Sequence, residues 1–175
     1  MPDHPVRAPS GGSAPVPAPV RDVARARREI QAEAARLGID DAYVSTLVET
    51  FYARVRADPA LGPVFEREVG DDWPAHLARL KDFWASVAFN AGRYSGRPVQ
   101  VHRALTGVAP GHFATWLGIF EATLRDTAPS PAAADHFLSR AHRIAATLRA
   151  AMFGPEAAGS GDAAAAPRRA PEGGA

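Results

Sequence analysis

The sequence contains no cysteine, and this absence excludes a good deal of chemistry. Disulfides, thiolate zinc sites, iron–sulfur clusters, thiolate-ligated haem iron and covalent C-x-x-C-H haem attachment all drop out. Methionine occurs only as Met1 and Met152, near the chain ends. Histidine is therefore the expected donor for any haem iron, and any haem would be non-covalent. Long apolar runs are also lacking, so no bilayer span is expected. The Pro-, Ala- and Gly-rich N-terminus has no continuous apolar stretch of the secretory type. A cytoplasmic location without a membrane partner is the resulting expectation. Nor is there an excess of one charge: 20 Lys and Arg stand against 19 Asp and Glu, with no basic block to attract nucleic acid. Zinc-protease, dinucleotide and P-loop signatures are absent as well.

What is there reads as one domain of ordinary size between two low-complexity ends. Residues 1–21 and 154–175 are rich in Ala, Gly and Pro, and a composition that buries so little is expected to give disordered tails. Residues 22–153 are expected to be all-α. A charged, Ala-rich helix over 22–37 carries a weak stripe (Val23, Ala26, Ile30, Ala34, Leu37) and stops at Gly38. The core region, 39–153, opens with Val44, Leu47, Val48, Phe51, Tyr52 and Val55 on one helical face. Asp58-Pro59 ends that helix and opens a short helical turn ending near Phe65. Trp73, His76, Leu77, Leu80, Phe83, Trp84 and Val87 form a second stripe. A short helix over 99–105 carries His102 after a Gly-Arg-Pro turn. Two more helices start at Pro110 and Pro131, with Gly154-Pro155 as the final stop. Nothing alternates with the period of a strand.

Six histidines are present. His4 falls in the N-terminal tail. His136 and His142 are read as surface residues, and His112 as a capping or surface residue at a helix start. His76 and His102 stay open: either could be an ordinary boundary histidine satisfied by a carbonyl, or a ligand. The aromatic residues also have a plain reading as core. Tyr52 and Trp116, however, carry polar handles that need partners when buried. One site that uses His76, Tyr52 and the Trp116 indole together would account for all three.

Taken in order, these motifs resemble the group III truncated haemoglobins. The likeness rests on Phe51-Tyr52-Ala53-Arg54-Val55 through Val64-Phe65, then Trp73, His76 and Phe83-Trp84. It continues through Tyr94-Ser95-Gly96-Arg97-Pro98, His102, Phe113 and Trp116-Leu117. His102 lies 26 residues after His76 and 14 before Trp116. The resemblance implies a truncated globin, a two-over-two helical sandwich around haem b, with the 22–37 helix as an addition. It implies His102 as the proximal iron ligand and Tyr52, His76 and Trp116 as distal polar groups. Phe51, Phe65, Leu80, Phe83 and Trp84 would line the haem pocket. Arg79 is a candidate propionate contact on position alone.

The function implied is reversible binding of O2, NO and CO, with distal O–H and N–H groups donating to a partly anionic ligand. Two alternatives stand beside it. One is a haem redox enzyme, oxidising nitric oxide or reducing peroxide with an unidentified reductase. The other is a haem-free helical interaction module.

Overall fold

The computed structural model describes residues 18–154. Both expected tails fall almost wholly outside that range. Seven helices make up the described chain: α1 Ala18–Arg36, α2 Asp41–Ala57, α3 Gly62–Val69, α4 Trp73–Phe89, α5 Pro98–Ala104, α6 Pro110–Thr127 and α7 Pro131–Phe153. Among the described residues there is no strand, and no helix is long and apolar enough to cross a membrane.

Local chemistry sets most boundaries. The Asp40 carboxylate accepts from the Tyr43 N–H at 2.8 Å and starts α2. Ser130 does the same for α7, accepting from Ala133 N–H at 3.1 Å. Between α2 and α3, Asp58 accepts from the N–H groups of Ala60 and Leu61, both at 2.9 Å. That turn brings α3 against α2 so closely that a Cβ on Gly62 would lie 2.5 Å from the Arg56 carbonyl oxygen. Proline stands in the first turn of α3 through α7, where its missing N–H leaves no helical bond unmade.

Three features differ from the sequence expectations. Helix α1 begins at Ala18 rather than 22, because Pro19 is tolerated in a first turn. Helix α3 runs on past Phe65 to Val69, where Gly70 at φ 55° stops it. The α1 stripe is only partly used: Ala34 is buried, but Val23 and Ile30 remain 70% and 39% exposed. The cause is geometric, since only the C-terminal part of α1 reaches the core, while Arg27 donates to the Ala91 carbonyl at 2.7 Å.

Four of the five long helices, α2, α4, α6 and α7, form two layers. Helix α2 packs on α4, α6 packs on α7, and the layers meet through α2–α6 and α4–α7. This is the two-over-two arrangement. The core between the layers is aromatic, with Phe51, Trp84, Phe120 and Phe137 all fully buried. Helix α5 lies on α7 and α3 on α2, which places His102 at one border of the sandwich.

Candidate haem site

Helix α5 starts at Pro98 and carries His102 one turn later. The His102 Nδ1 lies 2.7 Å from the Pro98 carbonyl oxygen. A carbonyl can only accept, so Nδ1 carries the hydrogen and Nε2 keeps its lone pair. Such a bond fixes both tautomer and ring orientation in metal-binding histidines. The preceding turn is tight, because the Tyr94 hydroxyl lies over Gly96, where a Cβ would collide with it. Tyr94 also meets Phe83 edge-on at 5.1 Å. Beside α5 opens a cavity of about 190 Å³ lined by Phe83, Pro98, Val99, Ile144 and Leu148 among others. His102 itself is half-buried.

A second set converges from α2, α4 and α6. Tyr52, only 5% exposed, has its ring 6.0 Å from that of His76, nearly perpendicular to it. Burial drives the Tyr52 hydroxyl well above the ordinary phenol range, and the Trp116 side chain, within hydrogen-bonding reach, offsets part of this. Phe51 bridges the group, with its ring 4.8 Å from Tyr52 and 5.1 Å from Trp116. The His76 Nε2 is buried and has no hydrogen-bond partner among the described residues. Burial also lowers the His76 pKa, assisted by the Arg79 guanidinium and opposed by Asp72. The imidazole is therefore held neutral, with one ring nitrogen unused.

The start of α4 is tied down by a clamp that sequence reasoning missed. Glu66 accepts from the Arg56 guanidinium at 2.9 Å and from the Trp73 indole N–H at 3.1 Å. The Arg56 guanidinium also sits 4.4 Å from the Trp73 ring centroid, a cation–π contact. Trp73 in turn meets the His76 ring edge-on at 5.7 Å. No local pattern marks Glu66, because its partners come from two other helices.

The remaining candidates separate. Phe65 lies 5.8 Å from Tyr52, while Leu80 and Phe83 are half-buried against the core. Phe51 and Trp84 are fully buried instead, and Trp84 stacks on Phe120 at 4.8 Å and on Trp116 at 6.4 Å. They back the site from behind. Arg79 is exposed and donates to Asp72 at 3.0 Å. The surface reading of His136 is corrected: it is half-buried, and its Nε2 donates to the Ala88 carbonyl at 2.8 Å. That bond and Arg140 donating to the Val87 carbonyl at 3.2 Å satisfy orphan carbonyls at the end of α4. His112 accepts from the Ala109 N–H at 3.2 Å and caps α6, whereas His142 is exposed.

A histidine lone pair held by its tautomer, a buried unpartnered nitrogen on a second histidine, and half-buried apolar side chains fit a haem. Comparisons with known proteins agree. Residues 35–150 match the bacterial-like globin family. A group 3 truncated haemoglobin of Campylobacter jejuni is 35% identical over 89 residues, 49% of this chain and 70% of that protein. The crystal structure of a group III truncated haemoglobin from the same organism superposes with a TM-score of 0.63 at 30% identity, covering 66% of this chain and 92% of that one. The chain belongs to the bacterial globins and, within them, to the group III truncated haemoglobins.

Proposed function

We propose that the protein holds haem b non-covalently through His102 and binds diatomic gases on the side of Tyr52, His76 and Trp116. Bound haem supplies the iron centre at which O2, NO or CO is taken up. His102 offers Nε2, kept as a lone-pair donor by the Nδ1 bond to Pro98. Half-buried Leu80 and Phe83 would give the haem apolar contacts that exclude water, with Phe65 beside Tyr52. Tyr52 and Trp116, both packed on Phe51, bring a hydroxyl and an indole N–H to this side. His76 brings a neutral imidazole whose Nε2 has no other task. The observation that carries the reading is this buried, unpartnered nitrogen beside two further polar groups. The globin domain is assigned to residues 22–153, and the protein to the cytoplasm.

Titration with hemin tests the proposal. Wild type should develop a Soret band saturating near one equivalent, and so should His112→Ala, which loses only a helix cap. His102→Ala should retain none through gel filtration. Failure of the wild type to take up hemin, or retention by His102→Ala but not by His112→Ala, would overturn the assignment.

A further inference from the structure

The outer side of α5 has no part in the site described above. Pro98, Val99 and His102 are half-buried on its inner face. Arg97, Gln100, Val101 and Ala104 follow at i, i+3, i+4 and i+7, and all are exposed. Val101, at 59%, is one of three large hydrophobic residues left exposed in the described chain. Arg103 stands beside this face and is exposed as well.

The surroundings carry an excess of cations. From Phe83 to Phe120 the sequence contains no Asp or Glu, and none from His136 to Phe153. Those stretches contain Arg93, Arg97, Arg103, Arg140, Arg143 and Arg149. Arg93 alone of the six is salt-bridged among the described residues, to Asp41 and Asp82. Arg143 lines the cavity beside Pro98 and Val99, which brings α7 charge next to α5. It also acts repulsively on Arg140. Arg67 reaches the Thr106 carbonyl at 2.8 Å, but Glu68 at 3.6 Å balances its charge. The whole chain is nearly neutral, 20 basic against 19 acidic residues. The excess is therefore local to the α5–α7 side, where it sets up a directional field.

We infer that the outer face of α5, where Arg97 lies between exposed Val101 at one edge and Arg103 at the other, with Arg143 of α7 nearby beside Val99, is the docking surface for a small acidic one-electron donor protein. An exposed apolar side chain beside several cations suits a modest, transient interface. An acidic partner is favoured by charge complementarity, which raises the on-rate more than it tightens the complex. The placement suits electron transfer, because Val101 directly precedes His102 on the same short helix, so a protein docked on this face sits beside the iron ligand. The donor gives up one electron, ferric iron becomes ferrous, and no atom or proton moves. The inference rests on His102 being the iron ligand.

The test uses haem-loaded protein and a plant-type [2Fe–2S] ferredoxin, an acidic donor. Reduction of ferric protein under CO is followed by stopped flow, and binding of oxidised ferredoxin by NMR titration of the α5 amides. The reduction rate should fall about tenfold as ionic strength rises from roughly 20 to 300 mM. Arg97→Glu with Arg103→Glu should cause a similar fall at low salt and abolish the α5 shifts, with CO binding kinetics and thermal midpoint unchanged. Val101→Ser should weaken binding several-fold without changing the salt dependence. A protein that takes up no hemin defeats the haem reading itself. Haem-loaded protein whose reduction ignores both salt and charge reversal overturns this inference alone. So does charge reversal that abolishes binding to phosphatidylserine vesicles while leaving ferredoxin unaffected, which would reassign the surface to a membrane.

Discussion

Removing one oxygen atom should separate O2 from CO. Tyr52→Phe deletes the hydroxyl and keeps the ring, so contacts to Phe51 at 4.8 Å, Phe65 at 5.8 Å and His76 at 6.0 Å persist. What is lost is one donor in a site where the residue is 5% exposed and water cannot readily replace it. A neutral hydrogen bond is worth about 1 kcal/mol, and one to a charged acceptor up to about 3 kcal/mol. Since about 1.4 kcal/mol is tenfold, the bare range is roughly 5- to 140-fold. The Trp116 indole, packed against Phe51 at 5.1 Å beside Tyr52, supplies part of the donation. That moves the expectation to the low end: an O2 dissociation rate about five- to tenfold higher. CO carries less negative charge, so its release should change by less than about twofold. Stopped-flow replacement of O2 by CO, and of CO by NO, measures both rates. An unchanged O2 rate, or equal changes for both gases, would refute donation by Tyr52.

Two other outcomes follow from the fold. Gly62→Ala drives a Cβ to 2.5 Å from a backbone oxygen that cannot move aside. It should destabilise by about 1–3 kcal/mol, seen as a thermal midpoint lower by several degrees, and an unchanged midpoint would show that α3 does not press on α2. Burial lowers the pKa of both His76 and His136 from 6.5. The unfolded chain therefore binds more protons than the folded one below that value, and stability rises with pH there. The stabilisation is complete above 6.5 and is lost as pH falls through the two folded pKa values. Urea midpoints should drop on acidification, and His136→Gln, which still donates to Ala88, should flatten the fall. A slope identical in the variant would remove His136 from the explanation.

How much of this was legible in the sequence differs by kind of feature. The helical stripes on α2, α4, α6 and α7 are periodic, and the structure buries Val44, Leu47, Phe51, Val55, Trp84, Phe120 and Phe137 accordingly. Caps at Asp40 and Ser130 are local and readable. Interactions between distant segments were not. Glu66 gains meaning only when Arg56 and Trp73 arrive from other helices, and His136 only when the end of α4 meets α7. The stripe of α1 misled because amphipathicity shows which face is apolar, not whether a partner surface extends far enough to cover Val23 and Ile30. Trp84 and Trp116 look alike in sequence. Their contrast, one buried in the core and the other half-buried beside Tyr52, is a matter of tertiary depth.

The most direct measurement of the central claim is resonance Raman spectroscopy of the ferrous, ligand-free protein, scanned for the iron–histidine stretching band. Wild type should show the band. His102→Gly should lose it, and added imidazole, filling the space vacated by the side chain, should restore it. A band that persists unchanged in His102→Gly would place the iron on another residue and contradict the assignment.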